Sequence, residues 1–283
     1  MININIQSFI VSFLLVITIV LNILENESKS TERDCNSFIE NGDSYHERYE
    51  NALALREYEM AYQMCPDNFE ALVKLTRAYD DCGEDLKGIK PDENRPIEAE
   101  KYFQGAVKYS EILLQKFPEK LETYFLSALS YGNLSRYKEG KEKVELARYI
   151  EEYAKRAIEV DPNFAPAYVV LGIYYREVAS LNGLKKALAN GFMGGLPTGT
   201  FEESVEALNK ALQLSPQGPY VHFDLARTYE EINNLDKAIE HYKQVVELPV
   251  VDHDDNRKKK IAEERLKVLK SSQNNITTKV SSD

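Results

Sequence analysis

The sequence predicts an all-α right-handed solenoid of about five helix-turn-helix repeats, closed by a C-terminal capping helix. Three observations predict it. Prolines recur behind helix ends, at Pro66, Pro118, Pro162, Pro216 and Pro249. Alanines and tyrosines recur at fixed offsets from those prolines, in a chain of 283 residues with 18 Tyr, 11 Phe and no Trp. After the last proline, residues 255–270 carry Ile261, Leu266 and Leu269 on one side of a charged helix, which suits a cap over the last repeat's apolar face.

The first repeat occupies residues 35–68, with Phe38, Gly42, Tyr45, Ala54, Tyr58, Ala61 and Pro66 in register. Gly42 and Ala54 let two helices approach, Tyr45 and Tyr58 fill the space between them, and Pro66 stops the second helix because it lacks an N–H. First helices of later repeats are marked by Leu72, Leu75 and Tyr79, by Tyr124, Ala128 and Tyr131, by Tyr168, Leu171, Gly172 and Tyr175, and by Leu225, Ala226 and Tyr229. Ala106, Ala157, Ala211 and the pair Ala238 and Tyr242 mark the second helices. This is the tetratricopeptide (TPR) pattern, whose unit is about 34 residues. The intervals from Pro66 to Pro118, Pro162 and Pro216 exceed that unit, so repeats two to four carry elongated or inserted inter-helix segments. These are a polar loop at 83–96, longer helices about 132–143, and an insertion at 180–200. Where the last ends, Thr200 and Glu203 form a capping box.

The domain reading is 1–30 as a hydrophobic signal peptide or membrane anchor, 31–272 as the TPR domain, and 273–283 as a flexible polar tail. Residues 9–24 are uncharged, and as a helix they are shorter than a ~30 Å hydrocarbon core. Ser28, Lys29 and Ser30 offer a cleavage spacing, but no Lys or Arg precedes residue 9. Cleavage near Ser30 implies an exported protein. Retention, with Lys29 and Arg33 on the C-terminal side, implies repeats in the cytosol. Membrane contact is expected only through this segment.

Residues 171–216 (LGIYYREVASLNGLKKALANGFMGGLPTGTFEESVEALNKALQLSP) and 223–249 (FDLARTYEEINNLDKAIEHYKQVVELP), followed by Asp254 and Asp255, resemble the regulator of microtubule dynamics TPR family. The resemblance includes Gly195-Leu196-Pro197 before the helix from Thr200. It implies a helical-repeat adaptor, membrane-anchored in some members. A fainter resemblance is to the TPR accessory subunit of some periplasmic substrate-binding transporters.

The formal net charge is -11, which argues against a phosphate-backbone binder, so no nucleic-acid partner is expected. No H-E-x-x-H, G-x-S-x-G or phosphate-loop motif occurs, and the glycines at 191–199 read as a turn. His46, His222, His241 and His253 are scattered over the repeats. The chain reads as a non-enzyme with no metal or cofactor. Sequons at Asn26, Asn133 and Asn275 have meaning only in a eukaryotic secretory route. Of the three cysteines, Cys65 ends the helix antiparallel to that of Cys35 and lies nearer to it. Cys82 needs a fold-back of the chain to reach Cys35, and three separate thiols are the third possibility.

TPR arrays bind along the concave face made by their first helices. The residues between core positions there are Lys74, Arg77, Phe125, Leu126, Leu129, Val169, Val170, Ile173, Arg176, Phe223 and Arg227. They describe an apolar groove with arginines around it, suited to a protein or peptide segment with apolar side chains and an acidic end. A small apolar ligand or lipid, for an accessory protein of a transport system, is the alternative occupant. The insertion about 184–192 is also able to fold back over this strip as core.

Overall fold

A computed structural model describes residues 33–86, 97–180 and 197–280, with side chains to residue 271. The hydrophobic segment at 1–30, the centre of the polar loop and the insertion at 184–192 lie outside the described residues. Among the described residues every element is a helix and none is long and apolar enough to cross a membrane. In chain order they are α1 (33–46), α2 (Asn51–Met64), α3 (Phe69–Asp85), α4 (Ile97–Lys116), α5 (Leu121–Ser135), α6 (Gly140–Val160), α7 (Ala165–Ala179), α8 (Phe201–Leu214), α9 (Pro219–Glu231), α10 (Leu235–Glu247) and α11 (Asp255–Val280). They pair as the expected TPR repeats. The chain divides into two compact units, at Leu75.

In the first unit, α1 and α2 are held by a disulfide between Cys35 and Cys65, whose Cα atoms are 6.2 Å apart. The pairing is the one favoured by helix direction, and Cys82 is buried outside it. Gly42 lies against the Tyr58 ring, where a Cβ would collide. The Tyr58 hydroxyl donates to Asp43 Oδ1 at 2.7 Å.

In the second unit, α4 packs on α5, α5 on α6, α6 on α7, and so on to α10 on α11. The inner helices α5, α7, α9 and α11 also touch in succession. The first-helix markers Leu171, Leu225, Ala226 and Tyr229 are all buried, as are Ala106, Ala157, Ala211, Ala238 and Tyr242 of the second helices. Gly172 is required by close approach, because a Cβ there would lie 2.6 Å from Leu208 Cγ. Thr200 and Glu203 form the capping box, satisfying two N–H groups that the first turn of α8 leaves without helical partners.

Two boundaries and one residue differ from the sequence reading. The polar loop does not begin at Gly83, which lies in α3 and packs so closely on Phe103 that a Cβ there would lie 2.5 Å from its Cε1. The sequon residue Asn133 is buried, donating to Asp80 Oδ1 at 3.0 Å, so it is structural and closed to modification in the fold. Finally, α11 runs to Val280, past the polar tail expected from 273. No Gly or Pro interrupts it before Val280, so nothing terminates the helix. Its packing residues are Ala262 and Leu269, 0% and 5% exposed, with Ile261 and Leu266 beside them.

Candidate functional site

The inner helices of the second unit line a half-open cavity of about 1230 Å³. Helix α5 contributes Phe125, Leu126 and Leu129, α7 contributes Val169, Val170 and Ile173, and α9 contributes Tyr220 and Phe223. These form its apolar wall. The spacing i, i+4 within α5 and α7 turns these side chains to one face. Arg77, Arg136 and Arg227 also line the cavity. No ion pair engages Arg136 or Arg227 among the described residues.

Nine of the eleven candidate residues therefore meet around one space. Two do not. Lys74 belongs to the first unit, where its ammonium pairs with Asp43 at 2.6 Å and Glu70 at 3.4 Å. Arg176 is 1% exposed and is part of the packing between α7 and α9. Its Nη1 donates to Asp224 Oδ1 at 3.0 Å and to the Asp224 carbonyl at 3.2 Å. A guanidinium taken out of water needs such a counter-charge, and Asp224 on the adjacent helix supplies it. Arg176 is thereby withdrawn from the groove list.

The far side of the cavity is charged. Asp80, Asp81 and Glu84 of α3 face residues 251–254, which precede α11, and Arg257 and Lys258 of its first turns. Asp80 is 1% exposed and accepts hydrogen bonds from Ser130 Oγ (2.6 Å) and Asn133 Nδ2 (3.0 Å). Burial pushes its carboxyl up to about 7, helped by the charges of Asp81 and Glu84 and opposed by those two hydrogen bonds. His253 moves the other way from a buried histidine. Burial lowers its pKa, but the hydrogen bond to Asp252 and the charges of Asp81, Asp252 and Asp85 more than offset it, raising it to about 9. Asp255, 0% exposed, accepts the backbone N–H groups of Val251 and Asp252 at 2.9 Å each. Periodicity could have flagged Asp80, which shares the inner face of α3 with Arg77 and Glu84. The 251–254 segment carries no such signal, since it lies between helices.

Away from the cavity, His222 and His241 touch through their Nδ1 atoms at 2.9 Å, and Tyr229 stacks on His241. Burial lowers both pKa values, that of His241 to about 4, so the pair is neutral at pH 7. Among the described residues no group of three His, Cys, Asp or Glu is placed to hold a metal.

The family model described as regulator of microtubule dynamics protein 1-3 matches residues 38–270 of the chain. Regulator of microtubule dynamics protein 3 of Xenopus laevis is 26% identical over 201 residues, which is 71% of this chain and 42% of that protein. Regulator of microtubule dynamics protein 1 of Bos taurus is 25% identical over 169 residues, 59% of this chain and 51% of that one. The chain spans about half the length of these relatives. A crystal structure of a thermophilic TPR protein from Thermus thermophilus superposes with a TM-score of 0.60 at 20% identity, over 81% of this chain and 98% of that one. That likeness establishes the fold alone.

Proposed function

The chain belongs to the regulator of microtubule dynamics protein 1-3 family, and from that premise we propose that it is a non-enzymatic scaffold whose cavity receives an apolar segment of a protein partner. The observation that carries this reading is the apolar wall of Phe125, Leu129, Val170, Ile173 and Phe223. Burying such a wall against a partner's side chains is favourable by about 25 cal/mol per Å². Arg136 and Arg227 at the same cavity favour an acidic residue or carboxylate at one end of that segment. The relatives are named for regulating microtubule dynamics, and a part in such a process comes to this chain as an adaptor's part.

The test is native mass spectrometry of the protein taken from its own source in mild detergent, alongside the Leu129→Glu variant. Added mass on the scale of a protein, absent from a folded Leu129→Glu, supports the scaffold. A second reading rests on the same apolar lining, in a cavity of about 1230 Å³ that is roomier than the ~300–1,000 Å³ of ordinary ligand pockets and so suits only a long ligand. On that reading an elongated apolar small molecule or lipid occupies the site, as for a transport accessory protein. Added mass on the scale of a small molecule supports this reading and sinks the first. The hydrophobic segment at 1–30 is proposed to tether or export the protein, and its presence or loss shows in the same intact mass.

A further inference from the structure

We infer that residues 251–254 and the first turn of α11 form a salt-sensitive clasp on α3, which parts as one body to widen the mouth of the cavity. The inference rests on the cavity reading above only for its purpose. Its structural basis is a contrast between two sets of contacts.

On their own side, these residues are tightly tied. The Asp255 carboxylate holds the backbone N–H groups of Val251 and Asp252 at 2.9 Å. Arg257 Nη2 donates to Asp254 Oδ2 at 2.7 Å. Lys259 Nζ donates to the Val246 carbonyl at 3.2 Å and also to that of Leu248. The segment and the helix start are therefore one rigid piece.

Across the cavity, four ion pairs to α3 among the described residues are longer. Arg77 to Asp252 is 3.8 Å, Asp81 to His253 3.8 Å, Asp85 to His253 3.9 Å and Glu84 to Arg257 3.8 Å. Each exceeds hydrogen-bond length. Arg77 and Asp85 are about half exposed, at 52% and 44%, so salt screens their pairs, while the more buried Asp81–His253 and Glu84–Arg257 pairs are screened less. On the clasp, His253 Nε2 is buried with no hydrogen-bond partner. These pairs join the first and the last inner helix of the unit, which are not neighbours in the stack. Parting them widens the cavity along one side, with the first turn of α11 bending away while Ala262 and Leu269 hold the rest of the helix in the core.

The test uses the full chain and no ligand. Spin labels are placed at Leu86→Cys, just past the end of α3, and at Asn256→Cys in the first turn of α11, both exposed positions, and their separation is read by pulsed electron resonance. Raising salt from about 0.05 M to about 0.5 M shortens the screening length from roughly 14 Å to roughly 4 Å. A second, longer distance is expected to grow with salt. Glu84→Gln with His253→Gln is expected to populate that distance already at low salt. One distance, unchanged by salt, overturns the clasp even if the double variant fails to fold. Because no ligand enters the measurement, that failure would leave the cavity's proposed role standing.

Discussion

At the residue scale, two buried charges set the clearest expectations. Asp80 ionises near pH 7 in the fold, against 3.8 for an ordinary aspartate carboxyl. The folded state thus holds a proton that the unfolded chain has lost, and this carboxyl makes stability fall as pH rises from about 4 to about 7. Asp80→Asn removes that dependence. Its stability relative to wild type should rise between pH 5 and pH 8 by on the order of a few kcal/mol, read by urea melts at both values. His253 acts in the next window. Its contribution is full below 6.5 and is lost as pH climbs through about 9. His253→Gln should therefore flatten the loss of stability between pH 7 and pH 9. Arg176 makes a different prediction from the one its groove assignment implied. Arg176→Met strands Asp224 in the interior and should cost about 3–5 kcal/mol with no direct contact to any partner lost.

At the element scale, the repeats answer to their small residues. Gly172→Val places two methyls against Leu208 and the Ser204 carbonyl. It should destabilise the second unit by about 1–3 kcal/mol, visible as a lower melting temperature with helix content retained. The same repeat logic explains what was legible in sequence. Proline-terminated helices with Ala and Tyr at fixed offsets define pairing, because those residues touch only neighbouring helices. Helix direction alone favoured Cys65 over Cys82 as the partner of Cys35. The apolar half of the cavity was legible as well, since Phe125, Leu129, Val170 and Ile173 follow from helical periodicity. What periodicity does not encode is contact between elements far apart in the stack. Arg176 looked like a groove residue because its counter-charge, Asp224, lies on another helix, 48 positions away. The charged wall was missed for the same reason, as His253 and Asp81 meet only once the inner helices have come round.

At the scale of the whole molecule, the two units carry different kinds of reinforcement. The second buries a long core and lines the cavity, whereas the first, with Leu55, Tyr58, Leu72 and Leu75 buried beside Cys35, Ile39, Ala61 and Ala71, adds a covalent bridge. Reducing that bridge should cost the first unit about 2–4 kcal/mol. Proteolysis after reduction should then start among residues 33–68 while the second unit survives. The bridge also makes the protein a recorder of its own history. Disulfides persist where the surroundings are oxidising and are kept open in the cytosol. Freshly lysed cells quenched with an alkylating reagent would therefore return a molecule marked at Cys82 alone, once denatured, if it had dwelt in an oxidising space. Marks at all three cysteines would report a life among reductants, and the ratio of the two forms would measure how the population divides between such addresses.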